Sequence, residues 1–141
     1  AGAAHAVQAT LYEGERTRFH RRLRGDTAAG IARPSGYRLV RLYDAVAGSF
    51  DRLAADFDRS LRAASDADAM LASYGARAAR PLKLMALLSN NARLVLIYLA
   101  CLAGDPRWFW LIELTLLTAI AAIGLVRLRT IERRMVRARG F

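Results

Sequence analysis

Ser89, Asn90 and Arg93 are polar residues at the head of an otherwise apolar run, and Glu113 stands alone inside a second one. On a helix, positions i, i+1 and i+4 share a face, so the first three can line one side of a polar cavity. An arginine in such a cavity suits bidentate contact with a phosphate. Arg93 and Glu113 can equally close on each other. Arg93 lies eleven residues before Gly104, about 16 Å from that corner at ~1.5 Å per residue, and Glu113 about 9 Å along the returning limb. A long arginine side chain nearly spans the difference, and Tyr98, level with Glu113, can donate a hydrogen bond to it. An unpaired charge in hydrocarbon costs at least ~2.5–3.5 kcal/mol, so both charges are expected to face protein or a water-filled cavity. Two uses stand side by side: an intramembrane clasp of Arg93, Tyr98 and Glu113, and a phosphate-contacting cavity of Ser89, Asn90 and Arg93.

The elements that must position these residues are apolar helices. Leu82 to Ala103 gives 22 residues, about 33 Å of helix. Trp108 to Val126 gives 19, about 28 Å against a hydrocarbon core of roughly 30 Å. Pro81 is well placed to open the first of these helices. Between them, Gly104 can end a helix in the left-handed conformation, Asp105 can cap the next and Pro106 can occupy its first turn. Trp108 and Trp110 stand where an interfacial aromatic belt belongs. The corner holds one basic residue, Arg107, whereas the far ends hold Arg80 and Lys83 on one side and Arg127, Arg129, Arg133, Arg134, Arg137 and Arg139 on the other. The excess of Arg and Lys places both ends in the cytoplasm and the corner outside, in a bacterial cytoplasmic membrane.

Composition agrees with that expectation. The chain of 141 residues is 55 % hydrophobic yet carries a formal net charge of +10. Basicity by itself would fit a nucleic-acid partner, but the arginines flank apolar runs and are not interleaved with stacking aromatics, so no such partner is expected. The basic tail, residues 128–141, suits anionic lipid headgroups. Cys101 is the only cysteine, which excludes an intrachain disulfide and a thiolate metal cluster.

Residues 1–24 read as one helix, small and apolar at first and strongly basic later, the end of a transmembrane helix running into the cytoplasm. Residue Ala1 is already in helical composition with no cap before it, which leads us to expect further sequence upstream. Residues 25–36 form a Gly- and Pro-containing linker. Residues 37–80 form a cytoplasmic amphipathic region. In it Leu39, Tyr43, Val46, Phe50, Leu53 and Phe57 make a seam at alternating steps of four and three, with Arg41, Arg52, Arg59 and Arg62 against Asp44, Asp51, Asp58 and Asp66 on a solvated face. Its last part, residues 65–80, reads as a weaker helix or turn. Residues 81–127 are the transmembrane hairpin. The expected fold class is all-α, an integral membrane helical bundle.

Three stretches carry a family resemblance. "AHAVQATLYEGERTRFHRRLRG" holds an aromatic–Glu–x–x–Arg pattern at Tyr12-Glu13-Gly14-Glu15-Arg16; the others are "SGYRLVRLYDAVAGSFDRLAADFD" and "SNNARLVLIYLACLAGDPRWFWLIELTLL". In this order they resemble the C-terminal half of CDP-alcohol phosphatidyltransferase family proteins: the exit of a transmembrane helix, a cytoplasmic helical insert and the closing transmembrane pair. The resemblance implies an integral membrane enzyme of phospholipid biosynthesis, often a homodimer, that moves a phosphatidyl or similar group from a CDP-alcohol to an acceptor hydroxyl and releases CMP. It also implies a divalent metal held by the motif D-G-x2-A-R-x8-G-x3-D-x3-D. That motif does not occur in these 141 residues; Gly30, Arg33, Gly48 and Asp51 echo it at the wrong spacing. The D-x-D pairs Asp56/Asp58 and Asp66/Asp68 read as solvated helix faces. No catalytic residue and no cofactor is therefore assigned to this chain. The alternative is a non-catalytic transmembrane scaffold subunit of a larger complex, respiratory or photosynthetic. His5 and His20, fifteen residues apart, have no partners in sequence for metal or nucleophilic chemistry.

Overall fold

A computed structural model describes residues 2–26 and 54–138. These residues are helical throughout, joined by short turns, with no strand among them. Helix α1 spans Gly2–Leu23, α2 covers residues 54–63, and α3 spans Ala67–Met85 and runs into a 3-10 turn at Ala86–Leu88. Helix α4 is Asn90–Leu102, and α5 runs from Arg107 to Arg137 with a π turn at Glu113–Leu117. Residues 27–36 of the linker expected at 25–36, and the seam residues Leu39, Tyr43, Val46, Phe50 and Leu53, lie outside the described residues.

The core follows from helical spacing. In α3 the buried positions Met70, Tyr74, Ala78, Pro81 and Met85 recur every three or four residues, which makes one stripe. Leu117, Ile120, Ala121, Gly124 and Leu128 do the same on α5. Leu11, Tyr12 and Phe19 of α1 and Phe57 and Leu61 of α2 complete the cluster. Residues 67–80 are thus a firm helix rather than the weak one expected, because their apolar stripe packs between α1 and α5.

Pro81 does not open a helix. It lies buried inside α3, and the break comes eight residues later, at Ser89. Ser89 adopts an extended conformation (φ −67°, ψ 153°) and its hydroxyl accepts from the Ala92 N–H at 3.4 Å. The run Ser89-Asn90-Asn91 is capping chemistry, and side-chain capping stabilises a helix start by about 1 kcal/mol. The interior proline loses one backbone bond, but α3 keeps its stripe in register across it. The segment expected as one straight span is instead two helices bent by 48°, and only as a pair are they long and apolar enough to cross a membrane. Helix α5 passes that test alone.

The corner is built as its residues suggest. Gly104 is left-handed at φ +83°, and Asp105 Oδ1 accepts from the Arg107 N–H at 2.9 Å. Gly124 fixes how closely α5 meets α3. A Cβ there would overlap Met85 Cγ and stand 2.6 Å from its Sδ, and Met85 has no exposed surface into which to retreat. Overpacking costs about 1–3 kcal/mol, against ~1 kcal/mol gained by placing Ala for Gly in a helix. Gly124→Ala is therefore expected to cost about 1 kcal/mol in detergent unfolding, and to cost nothing when Met85→Ala is already present. Equal losses in the two backgrounds would show that this contact does not set the helix spacing.

Candidate functional site: two buried ion clusters

One cluster gathers at the π turn. Arg93 of α4 and Glu113 of α5 are both almost fully buried, with Nη1 and Oε1 3.9 Å apart. Helix α1 supplies the rest. His5 and Gln8, three residues apart on one face, point between them. His5 Nδ1 stands 3.1 Å from Glu113 Oε1 and also touches Arg93 Nη1, which further donates to the His5 carbonyl at 3.3 Å. Arg93 Nη2 donates to Gln8 Oε1 at 2.6 Å. The amide end of Gln8 then donates to Thr118 Oγ1 at 2.9 Å and to the Glu113 carbonyl at 3.2 Å. A π turn interrupts the regular i→i−4 ladder, and here the Glu113 carbonyl accepts from the side chains of Gln8 and Thr118.

The residues singled out from sequence are thus divided. Arg93 and Glu113 come together. Tyr98 does not join them: it is 63 % exposed, turned away on the outer face of α4. Ser89 caps α4 from outside the helix and Asn90 is exposed, so the two do not share a cavity face with Arg93. Both Nη atoms of Arg93 are engaged by α1, leaving Nε as its unpartnered nitrogen. The two Nη atoms are thus bonded within the chain, to His5 and Gln8.

A second cluster, unforeseen in the sequence, lies at the other end of α5's apolar stretch. It alternates in sign: Arg18 donates to Glu15 at 2.5 Å, Glu15 pairs with Arg129, Arg129 with Glu132 at 2.5 Å, Glu132 with Arg22 at 2.6 Å, and Arg22 Nε with Asp58 at 2.6 Å. Arg22 is wholly buried; it also donates to Tyr74 Oη at 2.8 Å and to the Ala54 carbonyl at 3.4 Å. Its guanidinium lies 4.7 Å from the Phe57 ring centroid and 5.1 Å from that of Tyr74, in cation–π contact with both members of a ring pair whose centroids are 4.9 Å apart. Asp58, expected on a solvated face, is buried here because Arg22 meets it from α1.

Burial alone would lower the Arg22 pKa, but the Tyr74 oxygen, Glu132 and Asp58 together hold it above its ordinary value. Burial raises the Tyr74 hydroxyl, with Glu132 adding to the shift and Arg22 opposing it. Sequence spacing did carry a signal. Gln8, Leu11, Tyr12, Glu15, Arg18, Phe19 and Arg22 form one continuous stripe of α1, so charges that fall on an apolar stripe were marked for burial.

Among the described residues, no group of three or more His, Cys, Asp or Glu could hold a metal ion. The divalent metal implied by the family resemblance therefore does not fit the residues described. The chain matches no known family model, no curated protein and no solved structure.

Two measurements follow from this geometry. Removing one partner of a buried pair costs about 3–5 kcal/mol because the other charge is stranded. Arg93→Leu and Glu113→Leu should each destabilise strongly, while the double variant loses clearly less than their sum; additive losses in detergent unfolding would refute the pairing. The raised folded pKa of Tyr74 gives stability that is complete below the unfolded value of about 10 and is lost as pH rises through the folded value. Tyr74→Phe should remove that part of the alkaline loss, which parallel melts at pH 9 to 12 would detect.

Proposed function

We propose that these helices are the membrane-embedded framework of a CDP-alcohol phosphatidyltransferase-like protein of phospholipid biosynthesis, seated in the bacterial cytoplasmic membrane. The carrying observation is the distribution of exposure. Along α4 and the first two-thirds of α5, Leu94, Leu99, Leu102, Leu111, Leu116 and Val126 are exposed, while the two charges within these apolar stretches, Arg93 and Glu113, are turned inward and engaged. A surface of that kind is uneconomic in water and ordinary in lipid. Exposed Trp108 and Trp110 beside the corner suit a headgroup boundary, and exposed Arg127, Arg133, Arg134 and Arg137 suit anionic lipid at the cytoplasmic one. Both ends of the hairpin lie in the cytoplasm on this reading, and a second copy or other membrane subunits complete the assembly.

The transferase assignment rests on the three resembling stretches, and the metal-holding carboxylates would have to come from sequence other than these residues. A second reading, a non-catalytic scaffold subunit, is favoured by one observation: the buried cations Arg22 and Arg93 are engaged by partners within the chain.

The two readings separate in one preparation. The gene product purified from its own membranes is weighed intact, then given CDP-diacylglycerol, Mg²⁺ and a mixture of alcohol acceptors. The transferase reading expects a mass clearly above 15.5 kDa and release of CMP that requires both metal and acceptor. No CMP release from a chain of about that mass would leave the scaffold role. In a Cys101→Ser background, Arg107→Cys should react with a membrane-impermeant maleimide added from the periplasmic side. Protection there together with labelling from the cytoplasm would reverse the topology.

A further inference from the structure

Five arginines fall between residues 16 and 24, and the fold sorts them. Arg18 and Arg22 enter the buried cluster. Arg16 and Arg24 do not, and Arg21 only reaches its edge, at Asp58; with Thr17, His20 and Asp26 these three line a pocket of about 340 Å³ on the opposite side of α1. The spacing explains it. Arg16, His20 and Arg24 form one stripe at steps of four, and Thr17 and Arg21 form the stripe beside it. The pocket's size is at the small end of ligand sites.

We infer that this pocket binds a water-borne, phosphate-bearing small molecule. Three guanidiniums face one carboxylate, and a hydroxyl and an imidazole add hydrogen-bonding capacity. The guanidiniums are weakly committed. Arg16 meets Glu13 at 3.5 Å with both side chains more than half exposed, a pair that contributes little. Arg21 stands 3.8 Å from Asp58, whose closer partner is Arg22, and Arg21 Nε is buried without a partner. Arg24 is exposed and pairs with no carboxylate among the described residues. Asp26, at the rim, already holds an interaction of its own.

The frame is ordered. Gly25, at φ +73°, ends α1 with its N–H bonded to the Arg22 carbonyl at 2.8 Å, and the Asp26 N–H returns to the Arg21 carbonyl at 3.1 Å. This paired closure satisfies two helix-end carbonyls that would otherwise repel an anion. Phe19 packs edge-on against the His20 ring at 5.5 Å.

The source of the phosphate rests on the membrane reading above. Glu15 is level with Arg129, three residues or about 4.5 Å beyond Val126, and Arg22 is level with Glu132, about 9 Å beyond it. The headgroup layer on one side is roughly 5–7 Å thick. The pocket therefore begins at the outer part of that layer and opens beyond it, where a dissolved phosphate ester reaches it more readily than a lipid headgroup.

The test is calorimetric titration of the detergent-solubilised full chain with inorganic pyrophosphate. Saturable binding is expected, weakened at least tenfold in Arg16→Gln/Arg24→Gln and changed less than twofold in Arg134→Gln/Arg137→Gln, which loses the same charge elsewhere. Absence of saturable binding, or equal weakening in the two double variants, would overturn the site. Glycerol 3-phosphate should compete as well as short-chain phosphatidic acid; competition by the lipid alone would overturn the water-borne assignment. Alkaline extraction of membranes is read separately. A chain that is released yet still binds pyrophosphate would refute the membrane reading and leave the pocket standing.

Discussion

Arg22 has no contact with solvent, and a guanidinium withdrawn from water must find its whole hydration shell in protein. It does so by drawing on every neighbouring helix: Asp58, the Ala54 carbonyl and Phe57 from α2, Tyr74 from α3 and Glu132 from α5. Each of these groups has one position that satisfies the same planar fork. A buried ion pair adds little net stability over an apolar pair of the same volume, but breaking it is costly. Its effect is therefore on register. A sliding or rotated helix would leave Arg22, or one of its acids, unpaired, and the apolar contacts nearby have no comparable penalty for a shift of one residue.

The Arg93–Glu113 cluster does the same at the other end. Glu113 and Glu132 are nineteen residues apart on α5, about 28 Å, so the apolar stretch between them is held at its two ends. α1 reaches both, with His5 and Gln8 at one and Glu15, Arg18 and Arg22 at the other. Between the clusters the helices meet through small or flexible contacts such as Gly124 against Met85. In lipid such contacts gain no hydrophobic free energy over helix–lipid contacts. On the membrane reading, close packing then sets the distance between helices, and the polar clusters set which faces meet.

The helical character of the described residues and the corner were legible in the sequence because they depend on neighbours in the chain. Gly104 and Asp105 act on residues within three positions, and their chemistry shows there. The break at Ser89 was also local, yet it was obscured by Pro81, whose breaking tendency is overridden by the packing of α3 on both sides of it. The partners of the buried charges were harder to see. Tyr98 was placed beside Glu113 by depth alone, and depth does not say which way a side chain points; the facing position is filled by α1, 105 and 108 residues away in sequence. Asp58 reads as solvated among the alternating charges of its own helix, and its burial comes from α1.

The arginines of α1 and α5 also bear on orientation. Arg18, Arg22 and Arg129 are matched in the folded chain by Glu15, Asp58 and Glu132, so they add little field at the surface. Arg16, Arg24, Arg127, Arg133, Arg134 and Arg137 remain exposed at the same end. The positive-inside bias acts on basic residues near the ends of apolar segments, with acidic ones counting little. On the membrane reading, insertion precedes helix association, so these arginines, Arg21 among them, would hold this end in the cytoplasm before the clusters have formed. On that reading three of them become the internal lock on association, Arg21 stays half-buried beside Asp58, and the six exposed ones would face water and headgroups. On the membrane reading, the same arginines of α1 and α5 would thus act on topology first and on packing second, without separate residues for the first task.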